Sequence, residues 1–593
     1  MVVLPIDVIF NIYRLKRHDN DLIDLSHVCR LWRDALHSYP DFWATITLDL
    51  EKSSPDVKAA YWVERAGQKP LNIYIHSRSH HLTLPAHTLD IILLQIGLVL
   101  RGCMDRWESF KIHASAPVIE HLLPLYTGHA PKLRAFEIDG LRPDTDASRL
   151  LVPLLPLFEP PSDSSRLSVS IKGYIPRFTM LSQSITRLFV VVNMDSETDL
   201  FSMDDLFGIL QASPNLIEFE FHAGTTEHLA PSSFSGLITL PRLTLFHIGC
   251  TRHVEDVLPF LRLPLLESIG LLKVALGDAA MAAVWDIFES RSLLSSITIE
   301  EGDHSVFRNV LAPFHENPLT LNNVTNFFLR GGSTSVQPLV DLLTLPRVQS
   351  LMLDGAPLGS VYRLISLSPD LRDLTIQIPA YYDPAPVLVP IPTPTFIPAP
   401  IFFPSLTSLK TLNAPTVVEY VHAPQLKTLI LNHSFDPSAR TRGSDVFLRA
   451  LVERSAPPLT VLQLHNLDVG DEVMRWWFER LPDLEDLFIS FCAISDSVLS
   501  ALASPPLPGQ NTDHRLLPRL KRFGFQENDH VTPRGAIEFL ASRASRWPMP
   551  GPKGEFDFVL THLPRQEEAA AILSFGDFLS MRHRVLYHMN VGL

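Results

Sequence analysis

The chain has little cysteine: four residues in 593, Cys29, Cys103, Cys250 and Cys492, widely separated and with no Cys-x-x-Cys pair. That usage excludes a disulfide framework and fits a reducing compartment. Basic excess is also missing. Fifty Lys and Arg against 64 Asp and Glu give a formal net charge of −14 and a pI near 5.9. A surface that binds nucleic acid needs Lys and Arg to displace counterions, so the balance argues against that role. There is no long hydrophobic run. The longest, Ile91 to Leu100, is interrupted by Gln95 and falls well short of the roughly 20 residues that span a bilayer. No basic segment followed by an apolar run and a small-residue cleavage site opens the chain, and no CaaX box or ER-retention tetrapeptide closes it. The expectation is a soluble protein of the cytoplasm or nucleus, with no membrane partner. The sequons at Asn323 and Asn432 read as chance occurrences.

Catalytic signatures are absent as well. The sequence holds no G-x-x-x-x-G-K-[ST], no G-x-G-x-x-G after a strand, no H-E-x-x-H and no G-x-S-x-G. His76, His80, His81 and His87 lie close together but at no common metal-site spacing and without a cysteine, so they read as a solvated loop. Glu300 and Glu301 end a predicted strand and read as a solvated turn. Trp476 and Trp477 sit on a predicted helix and read as buried packing. The expectation is a chain that is not an enzyme and needs no cofactor or metal.

What is present is a folded composition and a repeat. Apolar residues make up 46% of the chain and mean hydropathy is +0.13, which argues against disorder. A chain of 593 residues exceeds one compact core and points to a small module with a large one, or an elongated array. The unit Pro-x-φ-x-x-φ-x-φ, with φ a large apolar residue, begins at Pro131, Pro214, Pro241, Pro264, Pro346, Pro369, Pro424, Pro457, Pro482 and Pro518. Composition alone would produce roughly one or two such copies. Proline-free versions at Trp107, Ile185, Leu294 and Val324 fit between them.

Adjacent copies are often about 23–30 residues apart, and the fuller signature L-x-x-L-x-L-x-x-[NC]-x-L is nearly complete at Leu484-Leu487-Ile489-Cys492-Ile494 and Leu520-Phe523-Phe525-Asn528. At Val348 the same frame has Ala356 in the Asn/Cys slot. From about residue 107 the chain resembles the leucine-rich-repeat superfamily, with irregular repeat lengths. The resemblance implies an α/β solenoid: a curved parallel sheet from the φ-x-φ segments, with helices such as Phe447–Glu453 and Val473–Arg480 on the convex side. Most copies lack Asn or Cys, so a regular ladder of buried asparagines is not expected. Pro379–Pro404 holds nine prolines and reads as an insertion that is neither helix nor internal strand. Upstream, Trp62–Gly67 reads as a helix end, Pro70–Ile75 as a strand and 88–101 as a mostly buried helix. The predicted division is 1–50, an all-α module; 51–106, an α/β segment capping the solenoid; and 107–593, the solenoid with its insertion at 379–404.

The stretch from Leu4 to Ile46 carries helical apolar spacing at Leu4, Val8, Ile9 and Ile12, and again at Leu22, Leu25, Val28, Cys29, Trp32 and Leu36. It also has a Leu-Pro opening with Asp7 two residues on, a Val28-Cys29-Arg30-x-Trp32-Arg33 core, and a Pro40-x-x-Trp43 close. In these positions it resembles an F-box, and the whole chain resembles the F-box proteins with C-terminal leucine-rich repeats. The resemblance implies a module that binds a Skp-type adaptor, and through it a cullin, by way of Leu4, Pro5, Val8, Ile9, Ile12, Leu25, Val28, Cys29, Trp32, Leu36 and Trp43. The repeats would hold a target protein for ubiquitin transfer. The alternative is a scaffold outside any ligase, whose N-terminal helices only cap the array. A third reading, an enzyme with a diffuse site, would need His, Asp and Ser converging on the concave face. Positions facing that side include Glu137, Glu220, His247, Thr375, Gln463 and Lys521, the candidate target-binding residues.

Overall fold

Proline at the head of each repeat has a geometric reason. In most copies it occupies the second position of a β-turn closed by the first φ residue. Leu133 donates its backbone N–H to the Ala130 carbonyl, Leu216 to Ser213, Leu243 to Leu240, Leu266 to Leu263, Val348 to Leu345, Leu426 to Ala423, Leu484 to Leu481 and Leu520 to Leu517. The ring presets the φ that this turn position requires. The turn drops the first φ side chain inward, where each of these eight is at most 4% exposed. The residue after it then donates to the preceding repeat, as Arg372 N–H does to Gln349 and Glu485 N–H to Thr460. A strand follows. Its alternating side chains go to a packed face and an open face.

This computed structural model describes residues 8, 22, 26–77, 86–126, 130–141, 151–154, 166–178, 184–192, 203–223, 234–249, 257–274, 278–290, 293–302, 318–331, 336–378, 399–433, 444–503, 516–526, 528, 530–544 and 557–561. The chain forms two compact units, Met1–Leu294 with Glu301–Val306, and Ser295–Glu300 with Phe307–Leu593. In the first, parallel pairing runs in chain order through Thr45–Asp49, Leu71–His76, Trp107–Ser115, Ala135–Leu141, Leu167–Lys172, Ile185–Val192, Glu218–Ala223, Leu245–Gly249 and Ser268–Val274. In the second it runs from Ser296–Glu301 through Asn326–Arg330, Ser350–Asp354, Asp373–Gln377, Ser408–Leu412, Thr428–Asn432, Val461–His465, Asp486–Ser490, Arg522–Gln526 and Asp557–Thr561. The architecture is therefore α/β with long parallel ladders, as the repeat predicts.

Parallel strands need a crossover between them. Several crossovers hold helices, among them Met203–Ala212, Leu358–Ser366, Ser444–Ser455 and Asp471–Arg480. The packed face carries continuous apolar rows. Phe110, Phe136, Val169, Leu188, Phe219, Phe246 and Ile269 follow one another across the first unit. Leu351, Leu374, Leu409, Leu429, Leu462 and Leu487 do so in the second. All are at most 2% exposed, each worth about 1.5–3 kcal/mol of burial. Thr411 is a polar residue on this face, with Ile376 and Leu431 beside it on the row, and among the described residues its hydroxyl has no partner.

The sequence and the structure part in several places. The ladder already begins at Thr45, and the strands Thr45–Asp49 and Leu71–His76 belong to it, upstream of residue 107. The helix Ala86–Arg101 is not mostly buried: Leu93, Ile96 and Leu100 go inward, while Ile91, Leu94 and Leu98 are about half exposed. Most of the proline-rich insertion, 379–398, lies outside the described residues. Its end does pair: Ile401–Phe402 forms a two-residue parallel strand with Val421–His422, possible because neither residue is proline and both keep an N–H. Glu300 is no solvated turn residue, since it lies in the ladder beside Arg330 at 3.3 Å.

One asparagine does the work that the repeat signature assigns to it. Asn528 accepts from the Cys492 N–H (2.8 Å) and donates to the Ile489 carbonyl (3.0 Å), tying two successive loops together while buried. Asn528→Ala leaves both backbone groups unsatisfied and should cost the second unit about 1–3 kcal/mol in urea unfolding. Lys521→Ala removes only an exposed ion pair with Glu485 and should cost less than about 1 kcal/mol. Equal losses for the two variants would refute this account of the loop.

Candidate binding surfaces

Two surfaces follow from this fold. The first lies at the N-terminal module. Ser26–Val28 is helical, Cys29 is extended (φ −163°, ψ 169°), and a second helix runs Arg30–Ser38. The apolar spacing through Leu36 predicts a single face. The break at Cys29 divides that face in two. Val28 is 61% exposed and Cys29 is exposed, whereas Trp32, Leu36 and Trp43 turn inward. Trp43 donates its indole N–H to the Leu36 carbonyl at 2.9 Å and stands edge-on to Tyr61 and Trp62, with centroids 5.5 and 5.0 Å away. Of the predicted adaptor-binding residues, Trp32, Leu36 and Trp43 can support a partner surface but offer it little contact area. Val28 and Cys29 stand outside, and Val8 is partly exposed on a helix. Leu4, Pro5, Ile9, Ile12 and Leu25 lie outside the described residues.

The second surface is the open face of each ladder. In the first unit one register row reads Thr47, Tyr74, Lys111, Glu137, Ser170, Phe189, Glu220, His247, Gly270. In the second, one row reads Thr298, Phe328, Met352, Thr375, Lys410, Ile430, Gln463, Phe488, Gly524. Glu137, Glu220 and His247 thus share a row in the first unit, and Thr375 and Gln463 share one in the second. Lys521 does not belong with them. It precedes its strand, at the turn where Glu485 stands one repeat earlier, and pairs with that carboxylate at 2.7 Å. Gly524 takes the place on the row.

Cross-strand ion pairs neutralise much of both faces. Lys111 meets Glu137 (2.8 Å), Lys172 meets Asp139 (4.0 Å) and Arg187 meets Glu218 (2.9 Å) in the first unit. Arg330 bridges Glu300 and Asp354 in the second, where burial pushes the Asp354 carboxyl above its usual range against the pull of Arg330. Burial likewise holds the imidazoles of His222, His247, His433 and His465 below the usual histidine range.

Two histidine–serine contacts bear on the enzyme reading. His465 Nδ1 lies 2.5 Å from Ser490 Oγ, but Ser490 is 1% exposed. His247 Nε2 lies 3.4 Å from Ser268 Oγ, and among the described residues no carboxylate hydrogen-bonds the other ring nitrogen. Neither pair has the nucleophile, base and orienting acid of an activated serine. Among the described residues no three His, Cys, Asp or Glu are grouped to hold a metal, and no helix is long and apolar enough to cross a membrane. Burial, expected of both tryptophans, holds for Trp477 alone; Trp476 is partly exposed, with Arg480 at 4.2 Å and Arg449 at 5.4 Å from its ring.

The exposed stripe Ile91, Leu94, Leu98 and, among the described residues, the lack of an ion pair at Glu220 are not legible in the sequence, because both depend on which neighbours the fold supplies. No family model matches the chain, and no curated protein matches it in sequence.

Proposed function

We propose that the chain is the target-recognition subunit of an SCF-type ubiquitin ligase. Its N-terminal module binds a Skp-type adaptor, and through it a cullin, while the open faces of the repeats hold a target protein. The observation that carries this reading is the Leu4–Ile46 pattern together with the exposure of Val28 and Cys29 at its centre. A module that needed its apolar residues only for its own packing would turn these two inward with Trp32 and Leu36. The mechanism is one of effective concentration: a chain that holds adaptor and target together makes their encounter intramolecular, with no chemistry of its own.

One observation favours the scaffold reading instead. Leu36 and Trp43 are buried beside the first strands, where a cap would place them. The two readings separate in one pull-down. The purified chain should retain a Skp-type adaptor, and Val28→Asp with Cys29→Asp should reduce retention at least tenfold, a charge in an apolar interface core being worth several kcal/mol. The unfolding midpoint should not move, because both side chains are exposed. Retention unchanged by the double variant, or no retention by the parent chain, refutes the ligase reading.

A further inference from the structure

We infer that the open face of the first unit carries a subsite for an arginine side chain of a bound protein segment, formed by Phe189, Glu220, His222 and His247. This deepens the target-recognition reading and rests on it. Phe189, Glu220 and His247 are direct neighbours on three successive strands, and His222 lies two residues along from Glu220 on the same side. With strands about 4.8 Å apart and like-facing residues about 7 Å apart, the four side chains form one patch.

Charge singles this patch out. On the three register rows of the first unit's open face, Glu137, Asp139 and Glu218 each have a cationic partner within 4.0 Å. Asp49, at the first strand, accepts from the backbone N–H of Glu51. Glu220 is only partly exposed and, among the described residues, has neither a cation nor a hydrogen-bond donor. The fold thus leaves one carboxylate uncompensated in a field of compensated ones.

The surroundings specify the cation. His222 and His247 do not stand off the sheet. A Cβ on Gly249 would lie 2.5 Å from His222 Nδ1, and one on Gly270 would lie 2.5 Å from His247 Cδ2, so each ring lies across the glycine of the next strand. The low floor leaves the Glu220 carboxylate accessible from above. Kept neutral by burial, each imidazole has a ring nitrogen able to accept. Phe189, with its ring centroid 5.8 Å from that of His222, supplies a π-face beside the carboxylate. A planar guanidinium with five donors and no acceptor uses all of these at once: a bidentate pair with Glu220, a hydrogen bond to a ring nitrogen and stacking on Phe189. An ammonium group, a point charge with three donors, uses fewer.

The test uses the full-length chain purified with its adaptor and three fluorescent decapeptide pools, with random flanks and a fixed central arginine, lysine or citrulline. Anisotropy titration should give at least tenfold tighter binding for the arginine pool than for the citrulline pool, with lysine between them. Glu220→Gln, isosteric and near the surface, should abolish the arginine preference without moving the unfolding midpoint. Absence of arginine preference in the parent chain, or its survival in Glu220→Gln, overturns the subsite. Adaptor retention is scored in the same preparation. Retention without arginine preference overturns the subsite alone, and arginine preference without retention overturns the ligase reading while the subsite stands.

Discussion

Trp43→Ala should destabilise the first unit by about 3–5 kcal/mol, the cost of truncating a fully buried tryptophan, and should abolish adaptor retention with it. The indole is 1% exposed and is enclosed on several sides. Tyr61 and Trp62 meet it edge-on from the helix Pro55–Arg65, and His37 approaches to 5.6 Å from the helix Arg30–Ser38. Its N–H holds the Leu36 carbonyl near the end of that helix. The Arg65 guanidinium lies 4.4 Å from the Tyr61 ring centroid and 5.8 Å from that of Trp43, and among the described residues its Nε has no acceptor. Removing the indole therefore opens a cavity and frees the helix that follows Val28 and Cys29. Trp43→Phe keeps a ring in place, gives up the hydrogen bond and should cost about 1–2 kcal/mol. Urea unfolding followed by circular dichroism measures both variants. A midpoint for Trp43→Ala within error of the parent would mean that the N-terminal helices are not anchored through this residue. Read beside Val28→Asp with Cys29→Asp, the pair separates loss of a contact surface from loss of the fold that presents it.

How far the sequence reveals this fold depends on the range of the interaction that sets each feature. The repeat is local. Proline presets a turn, the first φ residue closes it, and alternation assigns the next side chains to their faces. Pro131, Pro241 and Pro482 therefore announce their strands within eight residues. Thr45–Asp49 carries no such proline and sits inside a stretch whose other residues read as helices, so the sequence pattern starts the ladder later than the fold does. The row shared by Glu137, Glu220 and His247 was legible because it needs only the count from the φ residues. Lys521 falls off the row because it is the turn residue after Leu520, and its strand begins only at Arg522. The division of Val28 and Cys29 from Trp32 and Leu36 was hidden, since spacing predicts one face and only the extended backbone at Cys29 breaks it. The isolation of Glu220 was hidden for a different reason. It follows from what stands opposite on the two neighbouring strands, at Phe189 and His247, and so does the fit of His222 and His247 over glycines of the neighbouring strands.

Acidification should weaken both units below about pH 6.5, and the slope should be carried by His222, His247, His433 and His465. The unfolded chain takes up protons near the ordinary histidine value of 6.5, whereas burial keeps His222 and His247 in the first unit, and His433 and His465 in the second, neutral to lower pH. The unfolded state then binds more protons than the folded one. The stability these groups confer is complete above about 6.5 and is lost as the pH falls toward their folded values. Each contributes at most about 1.4 kcal/mol per pH unit within that window, less for His433, which keeps more solvent. Asp354 opposes the trend in the second unit: its raised pKa lets the folded state take a proton first as the medium turns acidic. Asp471 holds its charge through the window, since the Ser495 and Ser497 hydroxyls and the Ser495 N–H outweigh its burial and keep its carboxyl below the usual range. The cleanest single test is His465→Gln, because that ring shares a hydrogen bond with the buried Ser490 that an amide can keep. Urea midpoints between pH 7.5 and 5.5 should fall less steeply in the variant than in the parent. Identical slopes would show that His465 gains its proton equally readily in the folded and unfolded chains, and that the open face shields it less than its place between Asn432 and Ser490 implies.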